Sequence, residues 1–213
     1  MAGKKETARR LLERHGRTYA DELGIKLEGG SPAALFQLLC ASVLFSARIG
    51  SNIASEAFRN LKRRGWRTAR AMSGSSWDER VAALNEAGYT RYQERTATGL
   101  GELSEFLLDR WRGDLRRLRE DAERDPRRER KLLKEVKGLG DVGVDIFFRE
   151  VQVIWPELMP FGDGRALTAA QQLGLGSSAQ ELRRLVGGES EFARLVAALV
   201  RAGLENDLDE IKR

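Results

Sequence analysis

Lys137-Gly138-Leu139-Gly140-Asp141-Val142-Gly143 is the stretch on which the reading of this 213-residue chain turns. A helix-like run from Arg127 to Val136 precedes it and the amphipathic run Val144 to Val153 follows, so the chain reverses between two helices within a few residues. Such a reversal needs positive φ or a bare backbone, and glycine supplies both without steric cost. A bare backbone also leaves amides uncovered. Successive N–H groups at a helix start form a cradle for a phosphate oxygen, a grip that reads no base. By itself, Gly-x-Gly between helices is equally a tight turn in any α-helical protein.

Some twenty residues downstream, Phe161-Gly162-Asp163-Gly164-Arg165-Ala166-Leu167 opens another helix, which closes near Leu173-Gly174-Leu175. An aspartate just before a helix is a common N-cap, held by the backbone amides of the first turn. Upstream, Phe36-Gln37-Leu38-Leu39-Cys40-Ala41-Ser42-Val43-Leu44-Phe45-Ser46-Ala47-Arg48 reads as a buried apolar helix with a charged end, and Ala87-Gly88-Tyr89 reads as a turn.

Together these segments resemble the helix-hairpin-helix DNA glycosylases of the endonuclease III and adenine-glycosylase superfamily, over about residues 30 to 205. That family shows a pattern like Leu-Pro-Gly-Val-Gly-Arg-Lys-Thr-Ala, then a catalytic aspartate opening a helix that closes on a similar Leu-Gly-Leu. The resemblance implies an all-α, two-lobed fold with DNA bound in a cleft between the lobes. Residues 31–137 would form the central lobe, 138–213 the hairpin and C-terminal lobe, and 1–30 an N-terminal helix joining the latter. DNA contacts would fall on Lys137, Gly138, Leu139, Gly140, Val142, Gly143 and Arg165. Arg48, in place of the family's glutamine wedge, and Tyr89, at the second probing turn, would fill the gap left by a flipped nucleotide.

Asp163 is the candidate catalytic residue. Breaking an N-glycosidic bond builds positive charge on the deoxyribose, and a fixed carboxylate stabilises that charge and orients water. The nucleophilic lysine of bifunctional members would stand two residues after Gly140, where this chain has Val142. The resemblance therefore implies a monofunctional enzyme acting on double-stranded DNA that holds a lesion or mismatch, as a monomer. It also implies a K⁺ or Na⁺ ion on the main-chain carbonyls of the hairpin, with no metal held by side chains. Lys137 occupies the place of the family's proline, and phosphate contact is the role expected of it. Which base would leave is not legible.

Composition sets outer bounds. A net charge of +5 and a pI near 9.6 suit a polyanionic partner. The densest basic run, Asp109 to Lys134, is interleaved with acids and reads mostly as solvated helix surface, leaving Arg127 to Lys137 as the part that could meet phosphates. One cysteine, Cys40, cannot form an internal disulfide or supply four thiolates for the iron–sulfur cluster that many endonuclease III relatives carry, and one histidine, His15, excludes a histidine-based triad or zinc site. No apolar run reaches the length of a membrane span and the N-terminus lacks a signal peptide's apolar core, so the expectation is a cytoplasmic protein, nucleoid-associated in a prokaryote. Two other readings stay open: a noncatalytic module that recognises DNA damage or structure, and a helical adaptor whose basic surfaces meet acidic proteins.

Overall fold

Capping signals decide where most helices of this chain begin, and the computed structural model, which describes residues 3–213, is helical with no strand among the described residues. In chain order the helices are α1 (Lys4–His15), α2 (Tyr19–Leu23), α3 (Pro32–Ser46), α4 (Ser51–Arg63), α5 (Ala69–Ser73), α6 (Trp77–Glu86), α7 (Gln93–Trp111), α8 (Leu115–Asp121), α9 (Pro126–Lys134), α10 (Asp141–Val151), α11 (Gly164–Gln172), α12 (Ala179–Arg183), α13 (Glu189–Leu204) and α14 (Leu208–Lys212). Ser31 Oγ accepts from Ala34 N at 3.2 Å with Pro32 at the first helical position, which starts α3. Ser76 and Glu79 form a reciprocal capping box at α6. Asp125 followed by Pro126 starts α9 in the same way as Ser31-Pro32, a signal that places the helix start one residue earlier than the apolar periodicity alone. The short helices α2, α8 and α14 carry too few turns to show a period.

Two compact units divide the chain: the described residues through Glu22 together with Phe148–Arg213, and Leu23–Phe147. The division falls inside α10, so the hairpin groups with the central unit, whereas the resemblance implies a boundary at 137/138, ahead of it.

Helix α3 is the middle of the central unit. It is apolar on every side, and Leu35, Phe36, Leu38, Leu39, Cys40 and Leu44 are all buried, as expected of a helix enclosed by others. Helices α4, α7 and α8 pack on it, and α5 and α6 cover α7. Each fully buried Leu or Phe of this kind contributes about 2–3 kcal/mol relative to exposure. The other unit is built on α13, whose Phe192, Leu195, Val196, Leu199 and Ala202 form one stripe against α1 and α11. Small residues let α11 and α13 approach: a Cβ built on Gly203 would lie 3.8 Å from Ala169 Cβ. Among the described residues no helix is long and apolar enough to cross a membrane.

Candidate functional site

Helix α9 gives way to the hairpin through a run of short backbone bonds: Val136 N to Leu133 O at 3.1 Å, then Leu139 N to Val136 O at 3.1 Å. Gly138 sits at φ +84°, in the left-handed region that side chains disfavour, and a Cβ there would meet the Cα of Gly99 on α7 at 3.8 Å. Leu139 turns inward and is 3% exposed. A Cβ on Gly143 would lie 2.6 Å from Leu139 Cδ1, so this glycine makes room for the residue that plugs the hairpin. Gly140 faces open space and Val142 is 41% exposed. The turn thus fixes its inner side by packing and presents its outer side as backbone. Val144 N bonds Gly140 O at 3.0 Å, and the amides of Asp141, Val142 and Gly143 precede the first intrahelical donor of α10.

The charges around the hairpin are spent on one another. Lys134 Nζ meets Asp141 at 2.9 Å, Arg130 meets Asp145 at 2.5 Å, and Lys137 Nζ meets Glu102 at 3.1 Å. Lys134, through its hydrogen bond, holds the Asp141 carboxyl below the usual carboxylate range. Asp141 and Asp145, the acids beside the hairpin, are each matched by a base from α9. The same pairs engage part of the Arg127–Lys137 run expected to meet phosphates.

Of the two wedge residues expected from sequence, Arg48 is exposed in the turn between α3 and α4. Tyr89 requires correction as a DNA contact. It is 1% exposed, its hydroxyl accepts a 3.3 Å bond from Thr96 Oγ1, and burial pushes the phenol above its usual range. A ring held this way is core and cannot enter a base stack without leaving it. Arg165 is exposed in the first turn of α11, beside Asp163 in sequence.

Asp163 is the N-cap of α11. Its Oδ1 accepts from Arg165 N at 2.9 Å and Ala166 N at 3.0 Å, while Oδ2 accepts from Arg149 Nη1 at 2.5 Å. Both side chains of this ion pair are 3% exposed. Gln152, three residues after Arg149 and just past the end of α10, clamps the segment ahead of the aspartate: Phe161 N donates to its Oε1 at 2.9 Å and its Nε2 donates to Phe161 O at 3.1 Å. Phe148 meets Phe161 edge-to-face at 5.6 Å. The carboxylate is therefore positioned from both sides, by α11 amides and by Arg149 of α10.

The surroundings continue the charge network within this unit. Tyr19 lies with its ring 5.8 Å from the Arg149 guanidinium and 4.4 Å from that of Arg201, and Arg201 pairs with Glu22. Glu150 is buried and accepts from Tyr19 N and Ala20 N at 3.2 and 2.9 Å; burial raises its carboxyl above the usual range against the lowering effect of Arg149. Arg149 Nε is buried with no hydrogen-bond partner among the described residues. Arg149 and Gln152 were not singled out from sequence, although an Arg-Glu pair inside the apolar run Val144–Ile154 is the signal that would have found them, because a buried charge demands a partner. Among the described residues no group of histidine, cysteine or acidic side chains could hold a metal ion.

No protein-family model and no curated protein matches the chain. Among solved structures, the fold is similar to that of a trapped endonuclease III–DNA covalent intermediate, an estranged-adenine complex, with a TM-score of 0.53 and 19% identity over 95% of this chain and 86% of that one. At that identity the likeness shows the fold: the chain is all-α and endonuclease III-like.

Proposed function

We propose that this protein is a DNA repair glycosylase that hydrolyses the N-glycosidic bond of a damaged or mismatched base after rotating the nucleotide out of the duplex. The observation that carries the reading is Asp163, a buried carboxylate fixed by two α11 amides and by Arg149, in a fold similar to a protein solved on DNA. A carboxylate that needs no reorientation stabilises a developing oxocarbenium ion more than a mobile one does. Arg149 is a positioning residue: it holds Oδ2 while the amides hold Oδ1. The backbone of the hairpin grips a phosphate, and Arg48 fills the gap in the stack.

Val142 offers no amine, so the enzyme is monofunctional and leaves an intact abasic site. A monovalent cation belongs to the proposal: among the described residues no hydrogen bond engages the carbonyls of Lys137, Gly138 and Leu139, and these would hold the ion, which supplies positive charge toward the phosphate. One observation favours a second reading, a noncatalytic DNA-damage binder: both Asp163 oxygens are already engaged, and the ion pair is closed to solvent.

The test is a base-release screen on duplexes carrying uracil, hypoxanthine, alkylated purines, oxidised pyrimidines or 8-oxoguanine, each product resolved with and without hot alkali. Strand cleavage that needs alkali is the expected result. Cleavage without alkali, with a borohydride-trapped adduct, would contradict the monofunctional assignment, and binding without release on every duplex would favour the second reading.

A further inference from the structure

Helix α2 has five residues, and three of them reach the charges around Asp163. Glu150 of α10 accepts from the amides of Tyr19 and Ala20, which at a helix start have no acceptor within the helix, so α10 holds the beginning of α2. Three residues on from Tyr19, Glu22 accepts from Arg201 Nη2 of α13 at 2.5 Å. The Tyr19 ring is 5% exposed and fixed beside two guanidiniums, with Arg201 at 4.4 Å from its centre and Arg149 at 5.8 Å. All of these residues belong to one compact unit.

The two arginines share one feature. Nε of Arg149 and Nε of Arg201 are both buried, and among the described residues neither has a hydrogen-bond partner. A buried N–H without an acceptor is costly, yet both guanidiniums lie over the same ring. The face of an aromatic ring attracts a cation and accepts an N–H weakly. It does so without carrying charge. A carboxylate in that place would compete with Asp163 for Arg149, whereas a neutral ring leaves the whole charge to Asp163 Oδ2. Burial keeps the phenol neutral, holding it above its usual range against the lowering effect of both guanidiniums. Like charges over one ring repel, and each is held there by its own carboxylate, Arg149 by Asp163 and Arg201 by Glu22.

We propose that Tyr19 is a positioning residue for base release: its ring, anchored through Glu150 and braced by Arg201 on Glu22, sets the plane of the Arg149 guanidinium and through it the aim of Asp163 Oδ2. This inference rests on the reading that Asp163 stabilises the developing oxocarbenium ion, and adds to it the residues that keep the carboxylate's cation still. The bond from Arg149 Nη1 to Asp163 does not by itself fix the guanidinium plane, because the group can turn about it. The ring closes that freedom. Tyr19 and Arg201 touch neither substrate nor Asp163 in this role; they act through Arg149, and the hydroxyl of Tyr19 is not part of it.

The test compares wild type, Tyr19→Phe and Tyr19→Leu by three readouts. Single-turnover release is measured on the duplex that gives alkali-dependent cleavage in the base-release screen, affinity on a duplex carrying a tetrahydrofuran abasic site, and the Arg149 Nε–Hε signal by NMR of the free protein, assigned by its loss in Arg149→Lys. In wild type that proton is expected upfield, shifted by the ring beneath it, and Tyr19→Phe should keep both the shift and the wild-type rate. Tyr19→Leu should lose the shift and slow release by roughly tenfold to a hundredfold, as a misaimed group does, with affinity for the abasic duplex unchanged. If Tyr19→Leu does not fold, Arg201→Gln, which removes the brace and keeps the ring, takes its place, with release slower by a few-fold and the Arg149 signal moved from its wild-type position. A folded Tyr19→Leu protein that releases base at the wild-type rate, or an unshifted Arg149 signal in wild type, overturns the inference and leaves the glycosylase reading standing. Release as slow in Tyr19→Phe as in Tyr19→Leu would assign the effect to the hydroxyl and overturns it too. So does a loss of release matched by an equal loss of duplex affinity, the mark of general damage to the unit. No release by wild type from any duplex overturns the glycosylase reading itself and the inference with it.

Discussion

Around the hairpin, Arg130, Lys134 and Lys137 pair with acids at side-chain exposures of 30% or more, whereas the carboxylate and guanidinium of Asp163 and Arg149 are both 3% exposed. Charges that stay in water attract weakly and exchange partners at little cost. Charges removed from water cannot part, because whichever remained would be buried alone. The first region is therefore suited to trading internal partners for phosphates when a polyanion arrives. The second holds one arrangement whatever is bound. A glycosylase of the kind proposed needs both: a grip that yields and a charge that does not move.

The largest effect expected from this contrast is at Arg149. Arg149→Met leaves a buried carboxylate without its cation and should cost about 3–5 kcal/mol, a fall in melting temperature of roughly 10 °C. Adding Asp163→Asn, which keeps a cap but removes the charge, should restore more than half of the loss. Thermal and denaturant unfolding measure both; a single variant that melts with the wild type would show that the pair is not closed to water.

Next comes Gly138, whose φ of +84° asks a side chain to adopt a left-handed backbone. Gly138→Ala should cost about 1–2 kcal/mol of stability and weaken duplex binding by at least tenfold. If affinity survives while stability falls, the hairpin is a turn and not a grip.

Glu150 gives a smaller, pH-dependent effect. Burial raises its folded-state carboxyl above the value it has in the unfolded chain, so the folded state binds the proton more tightly. The stability it contributes is then fully present below the ordinary glutamate range and is lost as pH rises through the raised value. Wild type should lose stability relative to Glu150→Gln as pH rises above the ordinary glutamate range, read from paired unfolding curves. A difference that stays constant over that rise would contradict the assignment.

The smallest effect is expected for Lys137→Gln. Its partner Glu102 and its own side chain are both exposed, so stability should not change, and duplex affinity should fall only a few-fold, with a salt slope shallower by about one contact. A loss as large as that of Gly138→Ala would move the grip from backbone to side chain.

The helical class and the two ends of the argument were legible because local chemistry writes them. Ser31-Pro32 and Ser76 mark helix starts, Gly138 marks a left-handed turn, and Asp163 marks the cap of α11. What could not be read is the partner of each charge and the direction of each ring. Nothing near Arg149 in the chain says that it meets a carboxylate fourteen residues later, since that contact depends on how the segment 152–163 folds back on α10. Tyr89 follows a glycine at an exposed-looking turn, yet its neighbours place it inside and leave Thr90 and Arg91 outside. The basic run before the hairpin suggested free phosphate ligands; the fold sets Asp141 and Asp145 against it.

Single-turnover base release by wild type and Asp163→Asn, with duplex affinity and melting temperature measured on the same preparations, tests the central claim most directly. The affinity control is needed because the variant also deprives buried Arg149 of its anion. The account predicts that release falls by at least about a thousandfold, about 4 kcal/mol of transition-state stabilisation, while affinity for the damaged duplex changes only a few-fold. Release that persists at the wild-type rate in a folded, DNA-binding Asp163→Asn protein would contradict it.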